Sequence, residues 1–235
     1  MERIFSLFFI FIITSSAHSQ TAEEYFNRGL AKDSIMDFRG SISDYSKALE
    51  INPKHVHAYF TRAVAKGSLH DLIGAIEDYT KALELNPNYC EAYYNRGIAK
   101  GIQHDFRGGI TDLTKAIEIN PKFDEAYYGR GKIKASLEDN RGAIADFSKA
   151  IEIDPKYAPY YYLRGSAKYG IKDIRGAITD FTKAIVIDPK YSEAYLKRGV
   201  IKIAEGMQDG GCKDLSKAGE LGIKYAYELI KEYCQ

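Results

Sequence analysis

The chain has no tryptophan, only three cysteines and only six prolines in 235 residues. Three cysteines are too few for a disulfide framework, and their spacing is not that of a zinc site. There is no block of like charge. The 33 basic and 32 acidic residues balance to +1, which argues against a protein held to nucleic acid by a basic face. Also missing are G-x-S-x-G, H-E-x-x-H, the G-x-x-x-x-G-K-[ST] phosphate loop and the dinucleotide-binding glycine pattern. Gly108-Gly109 and Gly210-Gly211 fall at turn and packing positions, so neither implies a phosphate loop. Paired carboxylates occur only as exposed helix neighbours, and His55 and His57 are too few to hold a metal. His70 and His104 read, with them, as surface histidines. The expectation is a non-enzyme without cofactor or metal.

One apolar run stands out, residues 4–13, IFSLFFIFII, preceded by Arg3. Ten residues cannot span a bilayer as a helix, which needs about 20. Small, weakly polar residues follow, with Ala17 and Ser19 at the −3 and −1 places of a cleavage after Ser19. Residues 1–19 therefore read as a secretory signal peptide, with a retained short anchor as the alternative. Cleavage would leave a chain starting at Gln20 with no integral membrane span, exported to the periplasm or secreted. Export permits disulfides.

Hydrophobic residues make up 45% of the chain, and 19 tyrosines and 11 phenylalanines are an unusually rich aromatic complement. A sizeable core is possible, and general disorder is not expected. The decisive feature is a period of 34. Arginine recurs at 28, 62, 96, 130, 164 and 198, and aspartate at 44, 78, 112, 146, 180 and 214. Lys-Ala pairs recur from 47–48 to 217–218, and proline recurs at 53, 87, 121, 155 and 189. No insertion breaks the repeat. Within the first unit the pattern predicts one helix over residues 22–34 and a second over 38–51. Ile42, Tyr45, Ala48 and Leu49 form an apolar stripe at helical spacing. Asn52-Pro53 stops the second helix, because proline lacks an N–H and pushes its predecessor out of the α region. The recurrent Arg-Gly at 39–40, 107–108, 141–142 and 175–176 reads as a tight connection.

With Ala22 as position 1, Tyr25, Tyr59, Tyr93, Tyr127, Tyr161 and Tyr195 occupy position 4. Small residues fill position 8 (Gly29 to Gly199) and position 20 (Ser41 to Gly211). Tyrosine, phenylalanine or leucine fills position 24, alanine fills position 27 in every unit, and proline fills position 32 five times. This signature resembles the tetratricopeptide repeat. The resemblance implies an all-α, right-handed superhelical solenoid of six helix-turn-helix units, at 22–55, 56–89, 90–123, 124–157, 158–191 and 192–223. Residues 224–235 would form a C-terminal capping helix, the solvent-facing end that a solenoid needs.

Two departures from the usual family pattern recur. Position 7 is arginine rather than leucine, and position 11 is lysine rather than tyrosine, in every unit. Arg28 and Lys32 are like charges at i, i+4, which is unfavourable, so an acid should face them. Aspartate at position 23 is the only acid common to all six units. The expectation is a structural Arg–Asp ladder of Arg28, Asp44, Arg62, Asp78, Arg96, Asp112, Arg130, Asp146, Arg164, Asp180, Arg198 and Asp214. Each arginine would meet either its own unit's aspartate or a neighbour's. An exposed rung would contribute only ~0–1 kcal/mol.

The family resemblance places positions 2, 5, 9, 12 and 13 of the first helix in a concave groove. Position 5 reads Phe26, Phe60, Tyr94, Tyr128, Tyr162 and Leu196, a row of rings. Glu91 and Glu125 at position 2 belong to a mildly acidic rim, and Lys132 stands at position 9. Such a groove suits a peptide with apolar anchors, although the rings can instead pack on the neighbouring first helix. Phe26 and Leu30 stand where a carboxylate clamp for chaperone tails would need Lys and Asn, so that activity is disfavoured. The expected function is a non-catalytic protein–protein interaction scaffold with a protein or peptide partner. The alternative is an accessory or regulatory subunit of a cell-envelope complex that binds through its convex face or ends. Cys212 takes position 21, which is isoleucine in units one to five, and Cys234 lies in the cap. Within this fold the two sulfurs would meet in a Cys212–Cys234 disulfide, or else pack as small buried hydrophobes. Cys90 reads as a free thiol.

Overall fold

The computed structural model describes residues 20–234, and the targeting segment expected at 1–19 lies outside the described residues. The described residues form thirteen helices and no strand. Helices α1 (Ala22–Ser34) and α2 (Phe38–Ile51) make the first pair, α3 (Val56–Ser68) and α4 (Leu72–Leu85) the second, and α5 (Cys90–Ile102) and α6 (Phe106–Ile119) the third. Helices α7 (Asp124–Ser136) and α8 (Asn140–Ile153), α9 (Ala158–Gly170) and α10 (Ile174–Ile187), and α11 (Ser192–Ala204) and α12 (Gln208–Glu220) complete six pairs. A single helix, α13 (Tyr225–Tyr233), closes the end. Each helix packs chiefly on its predecessor and successor, as in a right-handed superhelical solenoid of stacked hairpins.

Local chemistry sets the helix boundaries. Second helices α2, α4, α6, α8 and α10 begin at Asp37, Asp71, Asp105, Asp139 and Asp173, whose carboxylates accept the N–H of Gly40, Gly74, Gly108, Gly142 and Gly176. The recurrent glycine is therefore not a connection. It is the third helical residue, bonded to the N-cap acid. Each turn between paired helices uses one left-handed residue, Met36, His70, His104, Glu138 or Lys172 at φ 61–64°, and Gly206 in the sixth pair. Beyond the second helices, the Asn52, Asn86, Asn120, Asp154 and Asp188 side chains accept the N–H two residues on. Those turns redirect the chain into the next first helix.

Close packing explains the small residues. Ala48, Ala82, Ala116, Ala150, Ala184 and Ala218 are all fully buried, so a larger side chain would overpack the interface. A Cβ on Gly131 would lie 2.7 Å from the Phe147 ring, so the absent side chain is what admits the ring. Successive first helices also touch, α3 with α5, α5 with α7 and α7 with α9, and the second helices approach one another less. That asymmetry puts the first helices on the inside of the curve.

Candidate functional site

Two sets of side chains recur along the first helices. One is scaffold. In the third unit, Arg96 donates from Nε and Nη2 to both carboxylate oxygens of Asp112, at 2.8 and 2.7 Å. Lys100 Nζ lies 2.8 Å from Asp112 Oδ2. The arrangement recurs in each unit as Arg28–Asp44, Arg62–Asp78, Arg96–Asp112, Arg130–Asp146, Arg164–Asp180 and Arg198–Asp214. Lys32, Lys66, Lys100, Lys134, Lys168 and Lys202 complete them. The like charges at i, i+4 are thus held by one shared carboxylate.

The pairing lies within each unit rather than between aspartates of neighbouring units. It is also buried rather than solvent-exposed, with the aspartates only 1–5% exposed. The link between units comes from a residue type that sequence reasoning passed over. Arg62, Arg96, Arg130, Arg164 and Arg198 each donate from Nη1 to the Ser46, Thr80, Thr114, Ser148 or Thr182 hydroxyl of the preceding unit. Arg28, in the first unit of the described residues, donates to Gln20 Oε1 instead. Each arginine also stacks over the position-4 tyrosine three residues earlier, as Arg96 does over Tyr93 at 5.6 Å, a cation–π contact. Hydrogen bonds from Arg28 and Lys32 hold the Asp44 carboxyl well below the usual range, at about 2.

The second set is the ring row on the inner side. Phe26, Phe60, Tyr94, Tyr128, Tyr162 and Leu196 are all half-buried. The five rings do not stand free. Each packs on the residue just before the next first helix: Phe26 on His55 at 4.6 Å, Phe60 on Tyr89 at 4.7 Å, Tyr94 on Phe123 at 4.9 Å, Tyr128 on Tyr157 at 6.3 Å and Tyr162 on Tyr191 at 5.0 Å. Sequence reasoning missed this second ring, although an aromatic or imidazole ring precedes five successive first helices at the same period of 34. His55 is accordingly half-buried rather than a surface residue, and its Nδ1 accepts the Ala58 N–H. His57, His70 and His104 are exposed.

Burial pushes the Tyr94, Tyr128 and Tyr162 phenols above their ordinary value, so they are protonated at neutral pH and can donate. Glu91 and Glu125 are exposed. Partial desolvation of the Glu125 carboxyl against its neighbours, and to a lesser degree the adjacent Asp124, raise its pKa. Tyr160, which replaces the alanine of units two, three, four and six, is buried and donates its hydroxyl to Asp124 at 2.8 Å. Lys132 is exposed, with Nζ 5.4 Å from the Tyr128 ring centre.

Hollows open between neighbouring first helices. One of about 280 Å³ lies between α5 and α7, walled by Tyr94, Ile98 and Ile102 on one side and Tyr128, Lys132 and Ile133 on the other. Another of about 290 Å³ lies where α5 meets the α3–α4 pair, with Val64 of α3 and Leu72 and Tyr79 of α4 facing Ile98 and Ile102. Such walls can hold apolar side chains with few polar contacts. Among the described residues no group of histidines, cysteines or carboxylates is placed to hold a metal, and no helix is long and apolar enough to cross a membrane. Cys212 and Cys234 are disulfide-bonded, with Cα atoms 5.8 Å apart, joining α12 to the end of α13. Cys90 is free and buried, with its thiol donating to the Ala116 carbonyl at 3.4 Å.

A family model described as "TPR repeat" matches residues 71–101 and 131–172, and a second described as "Tetratricopeptide repeat" matches 158–191. No curated protein matches the chain. Among solved structures, the chain resembles a crystal structure of MamA protein at 28% identity and TM-score 0.68, over 73% of this chain and 94% of that one. It resembles YrrB, described as a TPR protein with an unusual peptide-binding site, at 22% identity and TM-score 0.68, over 80% and 97%. It resembles Pseudomonas aeruginosa pilF at 17% identity and TM-score 0.75, over 90% and 97%. The last two likenesses concern the fold alone.

Proposed function

We propose a function from one premise: the chain belongs to the tetratricopeptide-repeat family. Proteins built on this scaffold are generally non-catalytic, and this chain acts as a non-catalytic protein–protein interaction scaffold. Its partner is a protein or peptide segment that lies in the concave groove along Phe26, Phe60, Tyr94, Tyr128, Tyr162 and Leu196. One observation carries the reading. Residues that serve stacking are constant from unit to unit, as at the buried Arg–Asp–Lys triads. Residues at the hollows between α3, α5 and α7 differ from unit to unit. A repeat that only stacked would have no need of that difference. The unusual peptide-binding site of YrrB shows that a protein of this fold can take a peptide.

Export to the periplasm or beyond the cell belongs to the same proposal. The composition of residues 1–19 supports it. So does the Cys212–Cys234 bond, because structural disulfides persist in oxidising compartments.

Site-specific photo-crosslinking tests the groove. A crosslinking residue replaces Lys132, beside the inner hollow, or Lys149, an exposed residue of second helix α8 that pairs with Glu152. Partner capture through position 132 and not 149 is expected. Capture through position 149 alone would transfer the function to the convex face, as in an accessory subunit of an envelope complex.

A further inference from the structure

Resting on that groove reading, we propose that the hollows on either side of α5 receive two large apolar side chains of one peptide in the polyproline II conformation, spaced three residues apart. A carboxylate of the same peptide then meets Lys132. The two hollows share one ridge, formed by Ile98 and Ile102, so one ligand can straddle it.

Missing side chains shape these hollows, leaving open space beside Gly67 and room for the Ile133 side chain against Gly101, where a Cβ would lie 2.9 Å from its Cδ1. Position 12 is Gly67 and Gly101 in the two units concerned, but Ala135, Tyr169 and Ile203 in the units that follow. A Cβ on Gly67 would meet no atom within 4 Å, so open space lies beside it. Position 6 is Gly129, where the other units carry Asn27, Thr61, Asn95, Leu163 and Lys197. A Cβ on Gly129 would lie 2.8 Å from Cδ1 of Ile98. Ile98 lies flat against the backbone of α7 because nothing projects from residue 129. None of the six residues that define the family pattern requires these three glycines.

Charge selects the occupant. The walls are apolar or neutral apart from Lys132, the one charged residue lining either hollow. Position 9 is Leu30, Val64, Ile98, Ser166 and Val200 in the other units, so the cation is local to this crevice. Packed helices run about 8–10 Å apart, and a polyproline II chain advances about 3.1 Å per residue with three residues per turn, so that residues i and i+3 share one face. Anchors in adjacent crevices are therefore three residues apart, and the carboxylate belongs beside the anchor seated between α5 and α7.

Fluorescence anisotropy with two labelled peptides tests the proposal. One carries Leu-Ser-Thr-Leu-Glu and the other the reverse order, Glu-Leu-Thr-Ser-Leu, so both chain directions are sampled. One order should bind, and replacing either leucine by alanine should weaken it at least about tenfold, the value of one buried leucine. Gly129→Ala should push Ile98 into the hollow and weaken binding about tenfold. Its melting temperature should hold or rise, because alanine is the better helix former. Lys132→Gln should weaken binding of the glutamate peptide about threefold and leave its glutamine analogue unchanged. Binding that ignores both Gly129→Ala and Lys132→Gln would overturn the two-anchor site while leaving a peptide groove elsewhere. Failure of both peptides to bind, together with partner crosslinking at position 132, would overturn the anchor chemistry alone. Failure of both peptides together with crosslinking only at position 149 would overturn the groove itself.

Discussion

Replacing Asp112 by asparagine keeps the shape of the third unit's triad and removes its only negative charge. Arg96 and Lys100 then remain with side chains 15% and 22% exposed, short of full hydration. Breaking one partner of a buried ion pair costs about 3–5 kcal/mol, since the stranded charge stays desolvated. The residual exposure lets both cations reach water with their tips, so the lower end, about 3 kcal/mol, is expected. Urea denaturation followed by tyrosine fluorescence and circular dichroism measures the total. Hydrogen exchange across α5 and α6 gives the local value, which a solenoid requires because its units need not unfold together. The companion variant replaces Arg96, Lys100 and Asp112 together by leucine, tyrosine and leucine. It strands no charge and should cost under about 1 kcal/mol, as apolar replacement of buried ionic triads does elsewhere. A cost below about 1 kcal/mol for Asp112→Asn would show the triad to be a screened surface pair. A cost for the triple variant as large as for the single one would show that contact loss, not stranded charge, sets the penalty.

Three further outcomes follow from the same geometry. The Asp44 carboxyl titrates at about 2, held there by Arg28 and Lys32; its folded value lies below the unfolded one, so its contribution to stability is complete above about pH 4 and is lost as pH falls towards 2, which a carbon-detected NMR titration against denaturation midpoints at each pH will follow. His70→Gly relieves a left-handed residue at φ 63° whose side chain is exposed and should stabilise the protein by about 1 kcal/mol in urea melts, whereas the same change at Leu69, whose φ is −92°, should not. Removing the Cys212–Cys234 bond by alanine at both positions should cost about 3 kcal/mol in the chain-entropy model and appear as faster hydrogen exchange confined to α12 and α13.

Much of the architecture was legible before any coordinates. Proline at position 32 and the apolar stripe through Ile42, Tyr45, Ala48 and Leu49 are local signals, and the helices begin and end where such signals act. The two recurrent cations at positions 7 and 11 demanded an acid, and only aspartate at position 23 was present in every unit. Which unit's aspartate would answer was not legible, because two copies at the same period are equivalent in one dimension. The threonine and serine hydroxyls that join neighbouring units were overlooked because a lone Ser or Thr on a helix carries no strong pattern. The junction rings His55, Tyr89, Phe123, Tyr157 and Tyr191 were visible as a period but sit outside the helices, where packing is not read from helical spacing. The ring row had two open readings, rings free for a ligand or rings packed on the neighbouring unit, and these junction rings make it a set of stacked pairs.

The amino-acid order alone determined the number of units, their helices, the small residues at each close approach and the charge balance inside each pair, because these depend on neighbours at a constant separation along the chain. Tertiary structure alone decided which faces turn inward, how deeply the aspartates are buried and where hollows remain between α3, α5 and α7. Those depend on distances between residues 30 or more apart, which are set by the curvature of the stack and by whether a side chain such as that absent from Gly129 is there to fill the gap.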